Sequence, residues 1–212
     1  MNKLQLRGMF LAATLAASAA EAEGQQWSIV GPRTVEPKAN AVEVGAGWPG
    51  VWVAYLRGIA SGVNLGAKAT FAYGVEGTVR SVVPGVRVQA LLKARLLDTD
   101  RVSLGLVFEP GPFVYGPHYG SARVGFALPV GLRVGIATSS AFALSVLFDV
   151  PMWVEFGVGG GFNVPILTGV GVEYFATSDV GIFARVAVGP TIGPNGRAEF
   201  TLDATLGAGF HF

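Results

Sequence analysis

Residues 123–136 read Arg-Val-Gly-Phe-Ala-Leu-Pro-Val-Gly-Leu-Arg-Val-Gly-Ile, and the order of large and small residues decides the fold. Val124, Phe126, Leu128, Val130, Leu132, Val134 and Ile136 hold every second place. Arg123, Gly125, Ala127, Pro129, Gly131, Arg133 and Gly135 hold the places between. A strand turns successive side chains to opposite faces, so one face here is large and apolar and the other small or charged. The same alternation returns at the end of the chain. There Phe200, Leu202, Leu206, Phe210 and Phe212 stand on one face and Thr201, Asp203 and Thr205 on the other. Lipid on one side and a narrow polar interior on the other is the environment that fits.

Composition agrees. Charged residues are 14% of the chain, against roughly 25% in an ordinary soluble domain. Fifteen basic and 14 acidic residues leave a net charge of +1, without the concentrated basic patch of a nucleic-acid binder. Cysteine is absent, which excludes a disulfide framework, a thiolate metal site and a cysteine nucleophile.

The first residues read as an export signal. Lys3 and Arg7 precede an uncharged run from Gly8 to Ala20, followed by small-x-small sites at Ala17-Ser18-Ala19 or Ala20-Glu21-Ala22. The run is short for a membrane-spanning helix, which needs about 20 residues. The expected division is a signal peptide at 1–22, a polar periplasmic lead-in at 23–38, and a barrel at 39–212.

Strands are expected at 39–47, 51–58, 62–73, 85–97, 101–113, 121–136, 141–154, 162–176, 180–190 and 198–212. The fold class is therefore all-β: an antiparallel up-and-down transmembrane barrel of ten strands. If 39–58 were one bent strand the count would be nine, and one further merger gives the alternative of eight. Tight polar connections such as Asp98-Thr99-Asp100 and Thr177-Ser178-Asp179 alternate with longer Gly- or Pro-rich ones, which places the short turns and both termini on the periplasmic side. Trp48, Trp52, Tyr73, Phe113, Tyr115 and Trp153 are expected in an outer aromatic girdle. Pro110–Gly120 is expected to form an aromatic loop. A soluble lipocalin-like barrel would put the apolar face inside, but the other face is too sparsely charged for a water-exposed surface.

On these residues the chain resembles the small outer-membrane β-barrel class of Gram-negative bacteria. The terminal strand, with Leu206, Phe210 and Phe212 at alternate places, is similar to that class's assembly signal, which implies recognition by the barrel-assembly machinery. The other expected partners are membrane lipid and lipopolysaccharide. No nucleic acid and no cofactor is expected, and the barrel is expected to be a monomer in the outer membrane.

Site chemistry is concentrated on the inward face. A lumen charge network is expected from Glu43, Lys68, Arg87, Arg95, Arg101, Glu109, Arg123, Arg133, Asp149, Glu173, Arg185, Glu199 and Asp203, with Lys93 and Glu155 as further candidates. Near-equal signs suit cross-strand ion pairs filling the interior, because an unpaired buried charge costs several kcal/mol. The expected function is accordingly structural or that of a narrow pore, without enzymatic activity. The alternative is a lipid-modifying enzyme acting through His118, with Ser121 nearby. A spacing of three on a strand puts those two side chains on opposite faces. Gly45-Ala46-Gly47-Trp48-Pro49-Gly50 matches a nucleotide-loop pattern but lacks the helix and the later acidic partner, and reads as a turn.

Overall fold

The computed structural model describes residues 27–74, 82–118, 121–157, 160–194, 196 and 198–212. The expected signal peptide lies outside these residues. Twelve strands form a single sheet: β1 Asn40–Trp48, β2 Gly50–Ala60, β3 Val63–Gly74, β4 Val82–Asp98, β5 Val102–Phe108, β6 Gly111–His118, β7 Ser121–Ala137, β8 Phe142–Phe156, β9 Phe162–Pro165, β10 Leu167–Phe175, β11 Val180–Ile192 and β12 Ala198–His211. All pairings are antiparallel, and β12 pairs with β1, so the sheet closes on itself.

The expected ten staves are present, two of them interrupted. β5 and β6 both lie between β4 and β7. β9 and β10 both lie between β8 and β11. The first interruption falls at Glu109-Pro110, where proline has no N–H to give the ladder. The wall still continues there, with Glu109 N–H donating to Pro129 O at 3.0 Å and Ala90 N–H to Pro110 O at 2.9 Å. The second falls at Ile166, behind Pro165, and Ile166 N–H reaches Pro190 O at 2.9 Å.

Both termini of the wall, and the turns at 61–62, 99–101, 138–141 and 176–179, gather at one end, here the terminal end. Threonine hydroxyls hold several of these turns. Thr177 Oγ1 accepts from the N–H groups of Asp179 and Val180, and Thr99 Oγ1 accepts from Val102 N–H. Such local side-chain bonds are what fit threonine to turns. The Trp48-Pro49-Gly50 reversal joins β1 to β2 at the opposite end.

The register follows the quoted stretch. Val124, Phe126, Leu132 and Ile136 are exposed on the outside, while Gly125, Ala127, Gly131, Arg133 and Gly135 are buried inside. Val44, Val53, Phe71, Val88, Val146, Phe148, Val170, Ile182 and Leu206 continue the apolar exterior around the ring. An apolar belt this continuous belongs against hydrocarbon, not water.

Three expectations are corrected. Trp52, Phe113, Tyr115 and Trp153 are not girdle residues: Trp52 packs against the lumen core, and the other three are buried in the lumen with Ala72, Val83 and Ala127. Residues 111–118 are strand rather than loop, and Tyr119 lies outside the described residues. The described part of the 23–38 lead-in does not stand outside the barrel either. Trp27, Ile29, Val30 and Val35 join the lumen core, because this segment offers apolar side chains and the wall supplies partners for its backbone.

Candidate functional site in the lumen

Inward positions alternate between glycine and bulk, and the two are matched across strands. Trp52 faces Gly45, Phe183 faces Gly207, Phe113 faces Gly125, and Tyr115 faces Gly85. At each pair a Cβ added to the glycine would meet the facing ring. The rings therefore lie flat on the wall and fill width that a ring of medium residues would leave empty. Trp52 and Phe183 stack with centroids 5.9 Å apart, and Lys68 Nζ stands 4.7 Å over the Trp52 ring, a cation–π placement.

A belt of ion pairs crosses the middle. Lys68 Nζ lies 3.0 Å from Glu109 Oε2, and Arg185 Nη2 lies 2.7 Å from Asp203 Oδ2. Arg133 pairs with Asp149 on the neighbouring strand. Thr205 Oγ1 donates to Asp203 at 3.0 Å, and Gln89 Nε2 donates to Glu109 O. Arg87 lines the same cavity, of about 80 Å³, as these pairs. Nearer the terminal end a second cavity of about 40 Å³ is bordered by Glu43, Lys68, Lys93 and Trp52. Spaces of this size hold a few waters each.

Toward the opposite end Arg123 binds Glu155 through two nitrogens, with Nε 2.8 Å from Oε2. Trp153 Nε1 donates to the same carboxylate at 3.0 Å. Toward the terminal end Arg95 Nη1 meets Asp98 Oδ2 at 2.7 Å.

Of the residues expected in the network, Lys68, Arg95, Glu109, Arg123, Arg133, Asp149, Arg185 and Asp203 enter these pairs, while Glu43 is buried beside the smaller cavity and makes no ion pair among the described residues. Arg101 is exposed in the β4–β5 turn and not in the lumen, because β5 begins at Val102 rather than at 101. Glu199 is half-buried beside Thr191 on β11 and makes no ion pair among the described residues. Glu173 is inward and 1% exposed, but its partners are backbone amides of residues 29–31 and the Ser28 hydroxyl. Lys93 likewise meets carbonyls of Ser28 and Ile29. His211 is inward: its ring lies 5.8 Å from Trp27, and Nδ1 stands 3.7 Å from Asp179 Oδ1. The side chains of His118 and Ser121 lie outside the described residues.

Leu206 and Phe210 of the terminal strand face outward, as does Phe212. Phe212 also closes the seam: its N–H donates to Asn40 O at 2.9 Å, and Asn40 N–H donates to Phe212 O at 2.8 Å.

Among solved structures the chain is similar to OmpT (in-vitro folded), an outer membrane protein of Vibrio cholerae. The identity is 13% with a TM-score of 0.40, over 84% of this chain and 62% of that one. It is also similar to the KdgM porin in complex with disordered oligogalacturonate, at 12% identity and TM-score 0.36, over 82% of this chain and 99% of that one. The KdgM porin alone gives 11% identity and the same coverage and TM-score. The chain thus spans 62% of the length of OmpT. No family model matches the sequence, and no curated protein does.

Proposed function

We propose that this chain is an outer-membrane β-barrel of structural or narrow-pore role, closed at rest and not an enzyme. The observation that carries the reading is the pairing of an apolar exterior with a lumen crossed by three ion pairs, Lys68–Glu109, Arg133–Asp149 and Arg185–Asp203. A barrel of eight strands already fills with side chains, and ten adds little width. Matched aromatic–glycine pairs then occupy what remains. The non-enzymatic reading rests on the lumen carboxylates: Glu109, Asp149 and Asp203 each hold a cation, and Glu173 holds backbone amides. Membrane lipid and lipopolysaccharide suit the exterior, and the barrel-assembly machinery suits the outward phenylalanines of the last strand.

The test is electrical. The full chain, reconstituted in planar bilayers, is expected to give no steady conductance. A large, steady conductance would move the assignment to an open porin.

A further inference from the structure

We propose that the terminal half of the lumen is a binding site for an extended peptide, that residues 27–35 of this chain are its resident ligand, and that their departure opens the barrel. The proposal rests on the closed-lumen reading and says what closes it.

The site recognises backbone rather than side chains. Glu173 Oε1 accepts from the N–H groups of Ile29 at 2.5 Å and Val30 at 2.8 Å. Oε2 accepts from Ser28 Oγ at 2.5 Å and from Gly31 N–H at 3.3 Å. From another part of the wall Lys93 Nζ donates to the carbonyls of Ser28 and Ile29. One short stretch thus has its donors taken by a carboxylate and its acceptors by an ammonium. Farther along, the Asn64 amide, with its oxygen and nitrogen interchanged, makes a two-point bond with Val35: its oxygen accepts from Val35 N–H at 3.0 Å and its nitrogen donates to Val35 O at 3.2 Å. The charge-assisted bonds from Glu173 and Lys93 are the strong ones.

The wall is hollowed to fit. A Cβ at Gly105 or Gly135 would stand 2.7 Å from Pro32, and one at Gly171 would stand 2.7 Å from Val30 Cγ1. Three strands therefore carry glycine where the segment's side chains seat. Two residues anchor its ends: Trp27 Nε1 donates to Ser178 O at 2.8 Å, and Arg33 Nε lies 3.1 Å from Asp98 Oδ1.

The segment is a ligand and not a stave. The ring of strands closes through β12 and β1 without it, so its removal leaves every ladder intact. The chain leaves the lumen at Lys38, whose φ of 75° reverses it into β1.

Three proteins test this in planar bilayers: the full chain, a chain lacking residues 27–36, and a full chain carrying Val30→Cys with Gly171→Cys. The native chain has no cysteine. A Cβ at Gly171 would lie 3.5 Å from Val30 Cβ, within disulfide range. The shortened barrel, once its heat-modifiable migration shows it folded, is expected to conduct steadily. A synthetic peptide of residues 27–37 is expected to close it, and a scrambled peptide is not. Glu173→Gln in the shortened barrel should raise the half-blocking concentration about tenfold or more, the loss of hydrogen bonds to a charged group. The cysteine pair should cross-link in the inserted protein, and oxidation should abolish opening bursts that the reduced form shows.

A steadily conducting full chain overturns the closed-lumen reading itself. A folded shortened barrel that stays closed, or one that conducts and ignores the peptide, overturns the plug alone. Should the shortened chain fail to fold, the cysteine pair decides: no cross-link, or identical records oxidised and reduced, overturns the proposal.

Discussion

Replacing Leu206 with arginine tests the register that the whole reading depends on. Leu206 is 65% exposed on the outer face of β12, opposite Ala46 of β1 and Ala184 of β11. It stands six residues before Phe212 at the terminal end. At about 3.3 Å per residue and a strand tilt near 40°, that is roughly 15 Å along the membrane normal. The apolar band of such a barrel is about 25 Å tall, so Leu206 lies close to its middle. Arginine at the midplane costs about 2–4 kcal/mol, which lowers the folding equilibrium some 30- to 900-fold at 1.36 kcal/mol per decade. The neighbouring Thr205 points inward and is 6% exposed. Thr205→Ser keeps the hydroxyl that bonds Asp203 and is expected to cost under about 1 kcal/mol. Reversible urea titrations in lipid vesicles, read by heat-modifiable migration, give both numbers. Equal costs at 205 and 206, or a cost under about 1 kcal/mol for Leu206→Arg, would refute the outward assignment of β12.

Arg133→Gln removes the cation from Asp149 inside the wall. An orphaned buried charge costs about 3–5 kcal/mol, and the lower figure applies here because Asp149 keeps 17% of its side-chain surface exposed. The same titration measures it, and an unchanged midpoint would remove this pair from the list of stabilising contacts. Deleting Phe212 removes two backbone hydrogen bonds at the β1–β12 seam together with the ring stacked on Phe210 at 5.5 Å. Membrane-fraction yield is expected to fall while export is retained, and an undiminished yield would show that the terminal strand closes without it.

Much of the wall was legible because a strand's period is two and one-sided burial leaves no freedom in register. The Arg123–Ile136 stretch shows its two faces in fourteen residues, and the pairing in space keeps them. The interruptions at Pro110 and Ile166 were not legible. Alternation runs straight through both, with Val107 and Glu109 lining the lumen and Gly111 and Phe113 buried beyond them, so only the hydrogen-bond ladder records the break. The girdle assignment failed for a related reason. Phe113, Tyr115 and Trp153 lie near strand ends, as girdle residues do, but each sits on the odd, inward parity of its strand. Parity outranks position along the strand, because crossing to the other face would require a one-residue slip of the whole stave.

The lumen was legible as a list of charges but not as a set of pairs. Alternation says that Arg133 and Asp149 both point inward; only the stagger of β7 against β8, which sets Arg133 opposite Leu147, brings the guanidinium within reach of Asp149. The segment at 27–35 was hidden more deeply. Its residues neither alternate nor form a helix, and Pro32 and Arg33 gave it the look of a tether. What marks it in space is the wall: glycines at 105, 135 and 171, and an inward carboxylate and ammonium at 173 and 93 that take no ion-pair partner from the ion-pair belt. In the sequence Gly135 reads only as a small residue of a narrow polar interior, and Glu173 and Lys93 as two more members of a balanced network. An inward glycine in a narrow barrel makes room for whatever lies opposite, and for several of these the occupant is a ring on the next strand. For Gly105, Gly135 and Gly171 the occupant is the chain's own leading segment. An inward glycine without an aromatic partner is filled either by a charged wall side chain, as Asp149 and Arg133 fill the space at Gly131, or by the leading segment, and only the pairing in space tells the two apart.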